Sequence, residues 1–147
     1  MKQIPNQLFF FFVEQEIAEV RSVCFRLVGH SMFPLIRNGK DEVLLTPCAE
    51  EDLRPMDVVL FRYQGKHVLH RILCHEGSRL ILQGDGSLVA KELCNTADVV
   101  GKVSEIVRPS GKAVSVHHWS WRLSGFLWVK LGVLRRPIIR IYHRFFI

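Results

Sequence analysis

The chain has 147 residues, of which 48% are hydrophobic and 23% charged, enough for one ordinary domain. Those fractions, with 10 Gly and 6 Pro, exclude a disordered, collagenous or long coiled-coil protein. The net charge of +6 is unevenly placed: residues 1–105 carry 12 Lys and Arg against 14 Asp and Glu, whereas residues 106–147 carry 8 basic residues and no acidic one.

In chain order, the first predicted element is a helix from Asn6 to about Arg21, with Phe9, Phe12, Val13, Ile17 and Val20 mostly on one face. Its apolar run, Leu8 to Val13, is shorter than the 7–15 residues of a secretory h-region or the roughly 20 of a span. Neither a signal peptide nor a transmembrane segment is therefore expected, and the location suggested is cytoplasmic or peripheral on the cytoplasmic membrane. Short runs rich in Val, Ile, Leu and Phe follow at Val23–Val28, Glu42–Leu45, Asp57–Tyr63, His67–Cys74, Arg79–Gln83, Lys102–Val107 and Lys112–Val116. Turn formers such as Asn38-Gly39, Gln64-Gly65 and Gly84-Asp85-Gly86 separate them. This spacing predicts a mainly β (α+β) domain over residues 22–117, preceded by an N-terminal helix (1–21) and followed by a helical extension (118–147). Cys24, Cys48, Cys74 and Cys94 form no C-x-x-C pair and read as free thiols of a reducing compartment.

Two polar clusters interrupt the apolar pattern. Gly29-His30-Ser31-Met32-Phe33-Pro34 follows the first strand, where a flexible Gly and a Pro-limited turn can project a serine hydroxyl from the end of a sheet. In Val68-Leu69-His70-Arg71-Ile72, alternation sends Leu69 and Arg71 to one face and His70 to the other, inward face, where a hydrogen-bond partner is expected. Asp85, at the end of the next strand, is a candidate for orienting that imidazole. A serine hydroxyl attacks a carbonyl only when a base takes its proton and a third group fixes the base's tautomer. Composition and spacing leave open whether these three side chains meet.

The segments GHSMFPLI, RPMDVVLFRYQGKHVLHRI and LILQGDG, in that order between about Phe25 and Val107, resemble the S24/S26 peptidase superfamily of signal peptidase I and LexA-type repressors. The His-Arg-Ile ending is similar to its archaeal and endoplasmic-reticulum members, which use a Ser–His arrangement. The resemblance implies a LexA/signal-peptidase-like β-domain of short antiparallel strands and a serine endopeptidase acting on a peptide or precursor protein. By position Ser31 would be the nucleophile, His70 the general base and Asp85 the orienting carboxylate, with Gly29, Met32 and Pro34 shaping the substrate subsite and oxyanion hole. The chain departs from the family pattern at Lys40, inserted between Gly39 and Asp41, and at Met56, where the family has Gly. Lys91 stands where Ser–His members often carry a second acid, and Gly29 lacks the hydroxyl that bacterial signal peptidases use. These departures motivate the alternative of a non-catalytic peptide-binding or membrane-associated module.

His67 and His70 face opposite sides of a strand, and no acid or cysteine has ligand spacing with the histidines, so neither a metal nor any other cofactor is expected. His118–Leu134 and Pro137–Ile147 predict two helices, the second with Arg136, Arg140 and Arg144 on one face. Such helices suit an anionic membrane surface, or else cap the β-domain or a twin subunit. Nucleic acid is not expected, since basic charge comes without a binding motif. The oligomeric state stays open.

Overall fold

In the computed structural model, residues 6–87 and 90–146 are described; residues 1–5 of the expected N-terminal unit and Ile147 of the expected last helix lie outside them. The chain runs α1 (Asn6–Ala18), β1 (Val23–Arg26), β2 (Glu42–Thr46), β3 (Val58–Tyr63), β4 (Lys66–Glu76), β5 (Arg79–Gln83), β6 (Glu92–Asn95), β7 (Val99–Val107), β8 (Ala113–Ser115), α2 (Trp119–Leu131) and α3 (Arg135–Phe146). All strand pairings are antiparallel. The sheet order is β1-β2-β7-β3-β4-β5-β6, with β8 also paired to β7. One edge of β7 carries β2, and the other is shared by β3 near Gly101 and β8 near Ile106. The architecture is mainly β, an eight-stranded antiparallel sheet with three helices, and belongs to the α+β class.

Strand β3 explains how so short a chain builds a core on each face of its sheet. Val58 and Leu60 alternate into a cluster with Val13, Phe25, Leu45, Val103 and Trp121, covered by α1 and α2. Val59 and Phe61 point the other way, to Leu53, Ile72, Leu80 and Leu82. A central strand buried on both faces reads as an unbroken apolar run, which is what Val58-Val59-Leu60-Phe61 is. The strand missing from the sequence reading is β6, whose Glu92-Leu93-Cys94-Asn95 is too short and polar to show a period.

The first helix stops sooner than its apolar pattern suggests. Val20 takes a left-handed φ of 62°, the Arg21 N–H donates to Glu16 O at 2.9 Å, and the Val20 N–H donates to Ile17 O at 2.9 Å. That pair of bonds closes the helix after Ala18 in a Schellman motif. At the other end of the chain, His118 caps α2 by accepting the Ser120 N–H on its ring at 3.2 Å. Helix α2 turns Trp121, Gly125 and Trp128 inward, one face at helical spacing. Pro137 sits in the first turn of α3, where its missing N–H costs no helical bond.

Candidate active site

The Ser31 loop is fastened at its base. The Leu27 N–H donates to Asp41 O at 3.1 Å and the Gly39 N–H to Leu27 O at 2.8 Å, closing the loop behind β1. Gly29 has a φ of 103°, a conformation that favours glycine, and its N–H donates to Asn38 Oδ1 at 2.6 Å. Asp41 is fully buried and binds Arg37 at 3.1 Å and Arg108 at 2.8 Å. Burial opposes its charge, but the Arg37 hydrogen bonds and the Arg108 charge outweigh that and hold its carboxyl below the usual range. Lys40, the insertion, is exposed, so the added residue lengthens the loop without disturbing Asp41.

From above, the loop rests on the turn after β5. The Gly86 N–H donates to Ser31 O at 2.9 Å. A Cβ on Gly84 would collide with that same carbonyl oxygen and lie 2.9 Å from His70 Nε2. The Ser31 main chain and the His70 imidazole thus converge on one glycine, whose missing side chain makes the approach possible. Ser31 is exposed, His70 is buried, and both line a cavity of about 400 Å³ between α1, the end of β1 and β4. Phe9, Phe10, Val28 and Leu69 give that cavity apolar walls. His67, at its other side, stacks on Phe10 at 4.8 Å and meets Glu14 at 3.2 Å, facing α1 as strand alternation requires.

The carboxylate beside His70 is Glu92, and Asp85 is engaged elsewhere. Both Asp85 oxygens accept from Arg71, at 2.9 and 2.8 Å, in a pair buried on both sides. His70 and Arg71 are neighbours on β4 and point to opposite faces, and both Asp85 oxygens are engaged on the Arg71 side. Glu92 reaches the His70 face through the ladder. It pairs with Leu82 of β5, which pairs with Ile72 of β4, two residues along from His70 on the same face. The Glu92 Oε2 to His70 Nδ1 distance is 3.1 Å. The contact falls outside hydrogen-bond geometry, leaving two buried polar atoms opposed with no hydrogen-bond partner among the described residues. A buried imidazole and carboxylate in that position stabilise each other only by sharing a proton or a charge.

Other expected subsite residues are also displaced from their expected roles. Gly29 lines the cavity, but its N–H is taken by Asn38 and cannot serve an oxyanion. Met32 is fully buried in the core rather than facing substrate, and Pro34, after a cis bond from Phe33, is not among the lining residues. Met56, where the resemblance leads one to expect Gly, has a φ of 82° that glycine would adopt without strain. Its carbonyl accepts from Arg71 at 3.0 Å, so the bend has a structural use.

The C-terminal helices hold the other side of this turn. The Trp128 indole donates to Asp85 O at 2.8 Å, Trp121 lies 5.6 Å from the Arg71 guanidinium, and Arg135 donates to Gln83 Oε1 at 3.2 Å. Arg135 is itself buried; burial lowers its pKa, and the Asp85 charge offsets part of that. Phe33 meets Tyr142 of α3 edge-on at 5.0 Å. The four cysteines are all free, and burial pushes the Cys94 thiol up to about 11.

No family model and no curated protein matches the chain. Glu92 was missed in the sequence because its position depends on a register carried through β5. The available signal was an acid directly after Lys91, where a second carboxylate is expected from the resemblance.

Proposed function

We propose that this chain is a serine endopeptidase of the S24/S26, signal-peptidase-like type, built on a LexA-like β-domain, with Ser31, His70 and Glu92 as its working set. The observation that carries this reading is that Ser31 and His70 line one cavity, with the Ser31 carbonyl and the His70 imidazole both set against Gly84, while a carboxylate lies 3.1 Å from the far nitrogen of the imidazole. Ser31 Oγ attacks the peptide carbonyl carbon as its proton passes to His70 Nε2. The C–N bond then breaks, and His70 returns the proton to the leaving amine. Water, deprotonated by the same imidazole, attacks the acyl ester and releases the acid product and Ser31. Glu92, 3.1 Å from Nδ1, supplies the negative charge that stabilises the imidazolium formed in both steps. The Ser31 N–H is the natural first donor to the oxyanion.

Substrate fits as an extended strand on the outer edge of β1, which among the described residues pairs only with β2 and leads directly into the Ser31 loop. The Phe9, Phe10 and Val28 walls suit apolar side chains near the scissile bond. The test is labelling by a fluorophosphonate probe followed by peptide mapping. Stoichiometric modification of Ser31, lost in Ser31→Ala and in His70→Ala with the fold intact, is expected. An unreactive Ser31 in folded protein that still binds extended peptides would replace the hydrolase with a peptide-binding module.

A further inference from the structure

Helix α2 is apolar on two sides. Its inward residues, Trp121, Gly125 and Trp128, are buried against the sheet. On an α-helix, Trp119, Leu123 and Phe126 fall opposite that face, and they are 71%, 48% and 49% exposed. Lys130 continues the outward stripe and lies 5.5 Å from the Phe126 ring. Helix α3 repeats the arrangement more simply: Ile139 is buried, Ile138, Ile141 and Phe145 are exposed on one flank, and Arg136, Arg140 and Arg144 are exposed on the other. Beside α2 a groove of about 680 Å³ is lined by Arg54, Lys102 and Arg122 together with Trp119 and Phe126, with Asp57 as its one carboxylate.

We infer that the outward face of α2 and α3 is a docking surface for an anionic lipid bilayer, lying in the interface rather than crossing it. Neither helix is long and apolar enough to span a membrane. Exposed Trp, Leu and Phe beside Lys and Arg are what the headgroup boundary accommodates, and residues 106–147 carry no acidic residue, leaving Asp57 as the one carboxylate of the adjoining groove. The same charge argues against a second copy as the occupant, because a twofold interface would set these basic helices against each other. The aliphatic members of these faces, Leu123, Leu127, Ile138 and Ile141, argue against nucleic acid, whose bases stack on aromatic rings but give branched aliphatic side chains little to bury against. The inward face already clasps the Asp85 turn, so docking does not compete with folding. The tail caps the domain with one side and meets lipid with the other. This surface stands independently of the chemistry at Ser31.

The full chain is floated with vesicles of phosphatidylcholine alone and of phosphatidylcholine containing phosphatidylglycerol, at low and high salt. Binding is expected to the anionic vesicles and to weaken with salt. It should fall by about tenfold or more in Arg140→Glu/Arg144→Glu, since each basic residue near such a surface contributes on the order of 1 kcal/mol. Leu123→Gln/Phe126→Gln should lose binding even at low salt. All four side chains are exposed, so thermal unfolding should be unchanged. Failure of the wild-type chain to bind anionic vesicles, or equal binding by both variants, would overturn the proposal. So would a dimer in light scattering that the same substitutions dissociate.

Discussion

Asp85 and Glu92 are both shielded carboxylates near the same turn, yet they have different partners and should fail differently. Asp85 shares two hydrogen bonds with a buried guanidinium, and losing one partner of such a pair strands the other charge. Asp85→Asn is therefore expected to cost about 3–5 kcal/mol of stability, read as a large fall in Tm. Glu92→Gln keeps the shape beside His70 but removes the charge that stabilises the imidazolium. It should leave Tm within a few degrees while slowing Ser31 labelling about 10²–10⁴-fold. If Asp85→Asn loses reactivity without losing stability, and Glu92→Gln does neither, Asp85 regains the orienting role that the resemblance assigned to it. Asp41 provides a pH test. Its folded pKa lies below that of a free carboxyl, near 3.9, so its contribution is fully present above that pH and disappears as pH falls through the folded value. Asp41→Asn should lower Tm at neutral pH, and the gap to the wild type should close in acid below about pH 4.

Among the elements, α1 carries a removable strain. A β-branched residue in the left-handed region costs about 1–2 kcal/mol, and Val20, 78% exposed, has little packing to lose. Val20→Gly relieves it, offset by the greater freedom of glycine in the unfolded chain, and a Tm higher by about 2–4 °C is expected. The opposite substitution belongs to α2. A Cβ on Gly125 would sit 2.6 Å from Arg71 Nη1, and Arg71 cannot yield because Asp85 and Met56 hold it. Gly125→Leu must push the helix off the turn, destabilising the protein by about 1–3 kcal/mol and loosening the near-ultraviolet dichroism of the buried tryptophans. Seven of the eight strands were legible as alternating or continuous apolar runs. Glu92–Asn95 was not, because an edge strand of four residues with polar ends carries no period of its own and is defined only by the β5 backbone it pairs with.

For the molecule as a whole, the site joins two distant stretches of chain, and this sets what could be read in advance. The sequence motifs marked Ser31 and His70, because glycine and proline around a serine, and a lone imidazole among apolar residues, are local patterns. The orienting carboxylate was not local: it depends on a register passed across three strands, whereas Asp85 is the acid in the turn that ends the next strand. The role of the tail was divided for the same reason. Its apolar and basic content pointed equally to lipid and to the β-domain, and only the placement of Trp121, Gly125 and Trp128 against the sheet separates the two faces.

The indole of Trp128, donating to Asp85 O at 2.8 Å from a buried position, gives the protein an internal optical reporter. The chain has three tryptophans. With Trp119 and Trp121 changed to Phe, the remaining emission should lie to the blue while the Asp85 turn is closed. It should move to the red when water replaces that carbonyl, so the seating of the turn under His70 and Ser31 can be followed in solution by fluorescence, without a substrate in hand.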